Sequence, residues 1–206
     1  MKELFKRYPN LEGVQDDISK ALSTLIECYE NGGKLLLCGN GGSCADCDHI
    51  VGELMKGFLN KRGLSEDQKA KMRVKYGDID DAVLNKLQNA LPAISLASFS
   101  ALNTAFSNDV DPNLIYAQGV FALGKAGDVL IAISTSGNSK NAVEATKVAK
   151  ALGVKVIALT GSSGGLLKEI ADVAVCVPED ETYKIQELHL PIYHSLCAEI
   201  ENHFFG

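Results

Sequence analysis

The stretch that decides the fold is residues 35–43, which read LLLCGNGGS. Its four apolar residues are too few for a helix and match a buried strand, and the loop of Gly and Asn that follows is a turn signal. From Cys44 onward the spacing of apolar residues becomes helical. The stretch therefore predicts a strand, a tight turn and a helix, with backbone N–H groups at the helix start that suit an anion.

The same helix carries two side chains that bear on chemistry. His49 and Glu53 are four residues apart, so they share one face of the helix. Such a pair is a metal-ligand pair, an acid–base pair or an ordinary surface pair, and the spacing alone favours the surface interpretation. We expect a capping box of Ser43 and Asp46 to start the helix, which should end near Leu59.

Strand and helix patterns alternate along the rest of the chain. We predict strands at 35–38, 92–97, 128–134, 154–159 and 173–177, and a long last helix at about 182–204. A packing helix at 11–31 precedes them, and a charged helical insertion occupies about 61–89. This alternation predicts an α/β fold in one domain, 1–206, with a five-stranded parallel sheet covered by helices on both faces.

Composition limits the classes of function. The chain has 206 residues, of which 46% are hydrophobic and 22% charged, and its net charge is −6. These values are typical of a soluble globular protein and argue against an extended nucleic-acid surface. Because the sequence has no apolar run of ~20 residues and no secretion signal, we expect a cytoplasmic protein without membrane contact. The six cysteines are interpreted as reduced thiols.

A second turn rich in hydroxyl groups follows the third strand. Residues 134–139, STSGNS, place hydroxyl and N–H donors at a helix N-terminus without a lysine, which suits a phosphate monoester. Helix capping is the simpler explanation of one such turn, but several hydroxyls in a row exceed what one cap needs. Since the carboxyl ends of parallel strands share one edge of the sheet, we expect this turn and the first one to meet there.

The last helix adds candidate metal ligands. Zinc binds imidazole and carboxylate, and a catalytic zinc keeps one position open for substrate. His49, Glu53 and His194 could supply these ligands, with Gln186 as a weaker oxygen donor. His189 is interpreted as a hydrogen-bonded helix residue without a role in the site.

These motifs, in this order, resemble the phosphoheptose isomerases of the sugar isomerase (SIS) superfamily. The resemblance rests on the 39–43 turn with the helix after it, on residues 133–139 and on Ile185-Gln186-Glu187 with His194. It implies a flavodoxin-like three-layer α/β/α sandwich and a homotetramer with sites at subunit interfaces. It further implies an aldose–ketose isomerase that converts sedoheptulose 7-phosphate to D-glycero-D-manno-heptose 7-phosphate through an enediol.

The resemblance also implies a role for each matching residue. Glu53 and His194 are the expected catalytic residues. One zinc ion per subunit is expected on His49, Glu53, Gln186 and His194. The residues expected to bind the sugar phosphate are Asn40, Gly41, Gly42, Ser43, Glu53, Asn108, Asp109, Ser134, Thr135, Ser136, Ser139 and Gln186.

Several alternatives stay open at this point. A non-catalytic SIS module, either a protein that binds a replication initiator or a sugar-phosphate sensor, would keep the phosphate turn without needing the four metal ligands. Another ketose phosphate would satisfy the same motifs. Gln186 and His194 come either from the same subunit or from a neighbouring one, and Pro191 between them removes a helical N–H and predicts a kink.

Overall fold

The computed structural model describes all residues, 1–206, around a sheet of five parallel strands. The strands are β1 (Leu35–Gly39), β2 (Ala93–Ser95), β3 (Val129–Ile133), β4 (Lys155–Thr160) and β5 (Val173–Cys176), and their order across the sheet is β2-β1-β3-β4-β5. This order is that of flavodoxin-like doubly wound sheets. The predicted α/β fold with a five-stranded parallel sheet is confirmed.

Ten α-helices connect and cover the strands. They are α1 (Lys2–Arg7), α2 (Gln15–Glu30), α3 (Gly42–Met55), α4 (Glu66–Lys75), α5 (Asp81–Leu84), α6 (Ser100–Asp109), α7 (Ile115–Leu123), α8 (Lys140–Ala151), α9 (Gly165–Ile170) and α10 (Thr182–Phe205). Short 3₁₀ turns occupy Pro9–Val14, Leu96–Ser98 and Pro112–Leu114. None of the helices combines the length and apolar character needed to span a bilayer.

The strands read as continuous apolar runs because both faces of the sheet are covered. In β1, Leu35 and Leu37 join a core of 29 buried residues shared with α1, α2, α3 and α10. Leu36 and Cys38 point the other way, into a core of 15 buried residues shared with α7, α8 and α9. The predicted three layers follow directly from this alternation.

The start of α3 differs from the sequence prediction. Gly41, at φ +56°, is the N-cap residue, and no side chain caps the helix. Ser43 is buried in the first turn, and Asp46 accepts a hydrogen bond from Tyr193 instead. The predicted capping box is therefore wrong, because a glycine with positive φ, Gly41, redirects the backbone two residues before the serine.

The end of α3 also differs. The helix stops at Met55 rather than near Leu59. The N–H groups of Phe58, Leu59 and Asn60 donate to the carboxylate of Glu201 at 2.6–2.9 Å, so they cannot continue the helical ladder. The chain then forms α4, which begins with a capping box of Ser65 and Gln68, before it returns to the sheet.

Two further details concern the long helices. The packing helix predicted at 11–31 begins as the 3₁₀ turn Pro9–Val14 and becomes α-helical only at Gln15, and the sequence did not predict α1 before it. At the other end of the chain, α10 continues through the buried Pro191 as a single helix.

The sheet topology locates the site. The chain leaves β1 for β2 on one side and later returns to β3 on the other, so the carboxyl ends of β1 and β3 form a topological switch point. Gly39 pairs with Ile133 in the sheet register. Asn40 and Ser134, the next residue of each chain segment, therefore lie side by side at the edge where ligands bind in such sheets.

Candidate active site

The turn at residues 134–139 is held in place by its own side chains. The hydroxyl groups of Ser134 and Ser139 are 2.9 Å apart, and the N–H of Asn138 donates to the Ser136 hydroxyl at 3.2 Å. No hydrogen bond within the chain engages the N–H groups of Thr135, Ser136 and Ser139. Neutral hydroxyl and N–H donors at the start of α8 are the donor set that a phosphate monoester needs.

This turn is also locked to the next one along the sheet edge. Gly137 has φ +65°, and a Cβ there would overlap the carbonyl of Gly164. The N–H of Gly161 donates to the Thr135 carbonyl at 2.9 Å, and the N–H of Leu167 donates to the Gly137 carbonyl at 3.0 Å. The turn after β3 is therefore rigid before any ligand binds.

Asn40, at the end of β1, is fixed by two residues that sequence reasoning missed. Its side-chain amide makes a reciprocal pair with Asn141 of α8, with both hydrogen bonds at 2.9 Å. The Tyr116 hydroxyl donates to the Gly39 carbonyl at 2.6 Å and lies 3.3 Å from the Asn40 amide oxygen. No sequence signal joins these residues, because each contact spans more than 70 positions and depends on how α7 and α8 pack against β1.

Three of the predicted site residues meet at the interface of α3 and α10, and we call His49, Glu53 and His194 the reactive cluster. The His49 Nε2 lies 3.2 Å from a Glu53 carboxylate oxygen, and the His49 and His194 rings are perpendicular with centroids 4.9 Å apart. Lys56 approaches the other Glu53 oxygen at 3.4 Å. All of these contacts lie within one chain, so a neighbouring subunit is not needed to bring His194 to His49.

His194 supplies an unpaired ring nitrogen in this cluster. Its Nε2 is buried and has no hydrogen-bond partner. Burial lowers the pKa of His194, and the nearby His49 lowers it further, against an opposing effect of Glu53. The ring is therefore held in its neutral form, which can accept a proton or bind a metal ion.

Gln186 lies outside the reactive cluster, against Gly42 at the start of α3. A Cβ added to Gly42 would lie 2.6 Å from the Gln186 side-chain nitrogen, so the amide rests on the start of α3. Gln186 and His194 are eight residues apart, which corresponds to about 12 Å along α10 at the rise of an α-helix. The structure therefore places Gln186 beside the substrate turn and does not bring it to the other three expected metal ligands.

The donor types at the reactive cluster fit zinc, while its geometry is not a closed metal site. The chain contains no group of three or more His, Cys, Asp or Glu side chains arranged to hold a metal ion. The unpartnered His194 Nε2 and the convergence of His49 on Glu53 nevertheless match the imidazole and carboxylate donors that zinc prefers.

The other candidate residues, Ser43, Asn108, Asp109 and His189, lie outside the reactive cluster. Ser43 is buried, and Asn108 donates to Asp109 at 2.8 Å in an exposed pair whose side chains bond only to each other. His189 is buried, with its Nε2 3.3 Å from the Thr160 carbonyl, and burial lowers its pKa to about 4. This matches the structural role expected for His189.

The phosphate turn and the reactive cluster of one chain are well separated. Measured along α3 at about 1.5 Å per residue, His49 lies about 10 Å and Glu53 about 16 Å from Gly42. Because α3 runs back along the sheet from the switch point, this distance leads away from residues 134–139. The phosphate turn and the reactive cluster therefore lie at different positions along α3.

Comparison with known proteins agrees with the fold. A family model described as the SIS domain matches residues 4–75 and 84–161. The phosphoheptose isomerase of Helicobacter pylori strain P12 is 40% identical over 204 residues, which are 98% of this chain and 91% of that protein. The solved phosphoheptose isomerase of Francisella tularensis superposes with a TM-score of 0.78 at 34% identity, covering 95% of this chain and 91% of the other. That of Neisseria gonorrhoeae gives 0.76 at 33% identity, with coverages of 98% and 94%.

The doubly wound sheet, the phosphate-type turn and the family match define the class: the chain belongs to the SIS domain family. The relatives just described are, within that family, phosphoheptose isomerases. The family match covers both turns of the switch point and is interrupted only between residues 75 and 84, after α4.

Proposed function

We propose that this chain is an aldose–ketose isomerase that converts sedoheptulose 7-phosphate to D-glycero-D-manno-heptose 7-phosphate. The observation that carries the proposal is the reactive cluster, where the carboxylate of Glu53 and the neutral, unpartnered imidazole of His194 both approach His49. The phosphoheptose isomerases to which the chain is similar over nearly its full length identify the sugar. They do not favour the alternative of a non-catalytic module.

The chemistry needs few groups. Aldose–ketose isomerisation moves a proton between adjacent carbons through an enediol, so it requires a base, a group that moves protons between the two oxygens, and stabilisation of negative charge. We assign to Glu53 the abstraction of the proton from one carbon and its return to the adjacent carbon. Neutral His194 moves a second proton, from the hydroxyl oxygen to the carbonyl oxygen of the substrate.

The substrate is oriented by the two turns. The N–H and hydroxyl groups of residues 134–139 bind the phosphate, and Asn40 with the 41–42 backbone and Gln186 lines the sugar. The Asn40 amide is already fixed by Asn141 and Tyr116, so binding costs little side-chain entropy.

We further propose a zinc ion held by His49, Glu53 and His194. Zinc would act as a Lewis acid that polarises the carbonyl oxygen and stabilises the developing negative charge. Within one chain the Gln186 side chain rests on Gly42, so Gln186 would reach this metal ion only from a neighbouring subunit.

The active assembly is proposed to be a homotetramer in which one subunit supplies the phosphate turn and another the reactive cluster. The separation of the two parts along α3 supports this. The test mixes two inactive variants: Ser136→Glu, which repels the phosphate, and Glu53→Gln, which removes the base. If the site is shared, hybrid tetramers regain activity from sites that combine an intact turn with an intact cluster. If each chain holds a whole site, the mixture stays inactive.

The test of the function combines metal analysis of the purified protein with a panel of ketose and aldose phosphates. We expect about one zinc ion per chain and interconversion of sedoheptulose 7-phosphate with its aldose. Turnover of a different ketose phosphate alone would correct the substrate. Tight binding of a sugar phosphate with no turnover on any member of the panel would contradict the proposal and support a sensor.

A further inference from the structure

Tyr193 packs against both histidines of the reactive cluster and is almost fully buried. Its ring contacts both imidazoles edge-on, with centroids 5.5 Å from His49 and 5.0 Å from His194. Its hydroxyl has two polar neighbours: it donates to a carboxylate oxygen of Asp46 at 3.2 Å, and it lies 3.0 Å from Nδ1 of His49. The sequence analysis assigned Tyr193 no role.

The Tyr193 hydroxyl has only one proton to give. A tyrosine phenol ordinarily has a pKa of about 10, so the proton is present at neutral pH. Since that proton goes to the Asp46 carboxylate, the hydroxyl oxygen must accept the hydrogen bond from His49, and the His49 proton then sits on Nδ1.

This arrangement has a consequence at the other ring nitrogen. With the proton on Nδ1, the neutral His49 ring carries a lone pair on Nε2, which is 3.2 Å from a carboxylate oxygen of Glu53. Two acceptors at that distance repel each other unless a shared proton or a cation lies between them. The His49 Nε2 and the Glu53 oxygen can therefore bind a proton or a cation between them.

We propose that Tyr193 and Asp46 are positioning residues that fix the tautomer of His49, so that its Nε2 lone pair faces Glu53. Asp46 is half-buried, its second carboxylate oxygen is buried without a partner, and the hydrogen bond from Tyr193 is the one that its carboxylate accepts. Ligating histidines commonly donate their other ring N–H to such a group, which fixes the ring orientation. The tautomer itself does not depend on the proposed isomerase function, whereas its catalytic consequence rests on it.

The test reads the tautomer directly in metal-free protein with ¹⁵N-labelled histidine. At about pH 9, well above the ordinary imidazole pKa, long-range ¹H–¹⁵N spectra distinguish a proton on Nδ1 from one on Nε2. We expect the Nδ1–H form of His49 in the wild type and the Nε2–H form, donating to Glu53, in Tyr193→Phe. Asp46→Asn should give a mixture, because an amide can also donate to the Tyr193 oxygen. The matched control is Tyr29→Phe, which removes a buried hydroxyl that bonds to the Pro92 carbonyl, far along the chain from His49.

A second measurement, of zinc affinity, kcat and KM, distinguishes a positioning role from a loss of folding. Tyr193→Phe should lower zinc affinity and kcat by about 10- to 100-fold while KM stays unchanged. An Nε2–H tautomer in the wild type, or the same tautomer in wild type and Tyr193→Phe, would overturn the proposal. The spectra are recorded without substrate, so they report the His49 tautomer even if the chain isomerises no sugar phosphate. A failure of the tautomer proposal is therefore distinguishable from a failure of the proposed isomerase function.

Discussion

Two polar clusters lie at the interface between α3 and α10, and they differ in whether their polar atoms are paired. The first is the reactive cluster of His49, Glu53 and His194. The second, which we call the anchor cluster, is the ion pair of Arg62 and Glu201, with Nε 2.7 Å from the carboxylate and both side chains fully buried. Both join the same two helices, about two turns apart along α10.

In the anchor cluster every polar side-chain atom has a hydrogen-bond partner. The Glu201 carboxylate accepts from three backbone N–H groups and from Arg62, whose guanidinium also donates to the carbonyls of Leu54 at 2.7 Å and Glu53 at 3.2 Å. In the reactive cluster, His194 Nε2 has no partner and the His49–Glu53 contact pairs two acceptors. A saturated buried cluster stabilises the fold, whereas an unsaturated one retains bonding capacity for a proton, a metal ion or a substrate.

The largest expected difference is in turnover. Glu53→Gln and His194→Ala should each lower kcat by about 10²- to 10⁴-fold, the range expected for loss of a general acid or base. Because glutamine has the shape of glutamate and its amide can donate to the Nε2 of His49, Glu53→Gln should change the free energy of unfolding by only about 1 kcal/mol. Steady-state kinetics measure the change in kcat, and denaturant unfolding measures the change in the free energy of unfolding.

The control for this pair is Glu12→Gln, which removes an exposed carboxylate that makes no ion pair. It should keep wild-type turnover and stability. Near wild-type turnover in both cluster variants would remove the assignment of catalysis to this cluster.

Breaking the anchor cluster should affect stability instead. Arg62→Met leaves the Glu201 carboxylate buried without its charge partner, which costs about 3–5 kcal/mol for ion pairs of this kind. Denaturant unfolding measures the change. A loss below about 1 kcal/mol would mean that the anchor cluster is not a principal link between α3 and α10.

Acid should weaken the anchor cluster in a defined direction. Burial acts to raise the pKa of Glu201, but the N–H groups of Phe58, Leu59 and Asn60 and the Arg62 side chain outweigh it, so the folded-state pKa lies below the ordinary value of 4.5. The stabilisation is therefore complete above pH 4.5 and is lost as the pH falls through the lower folded-state pKa. Unfolding measured across this window should show a steeper acid loss in the wild type than in Glu201→Gln, and equal slopes would contradict the assignment.

The smallest expected effect is at the phosphate turn. Ser139→Ala removes one neutral hydroxyl that faces Ser134, and a net hydrogen bond of about 0.5–1.5 kcal/mol corresponds to a rise in KM of about 2- to 10-fold. The kcat should stay unchanged, because the hydroxyl does not touch the reactive cluster. A fall in kcat without a change in KM would place the turn in the chemical step.

The sequence predicted the parts of the fold that depend on local pattern. The strands were found because burial on both faces makes them continuously apolar. The end of α3 was not predicted, because the N–H groups of residues 58–60 donate to Glu201, which is more than 140 positions away, instead of continuing the helix. The capping box failed because Gly41 had already redirected the backbone.

The candidate site shows the same limit. His49 and Glu53 were found by their spacing on one helix, and the structure brings His194 to them. Sequence could not place Gln186 against Gly42, nor show that the Tyr193 hydroxyl joins Asp46 to His49, because these contacts exist only once α10 packs on α3. Residue types are readable from sequence, whereas the pairing of their polar atoms depends on tertiary packing.

The most direct test of the reactive cluster follows hydrogen exchange at carbon. Sedoheptulose 7-phosphate is incubated in D₂O with the wild type or with Glu53→Gln, and deuterium at the carbons beside the carbonyl is measured by NMR. If Glu53 abstracts the carbon-bound proton, the wild type incorporates solvent deuterium and Glu53→Gln does so at least about 100-fold more slowly. Exchange by Glu53→Gln at the wild-type rate, or complete retention of the carbon-bound hydrogen during wild-type turnover, would contradict the account.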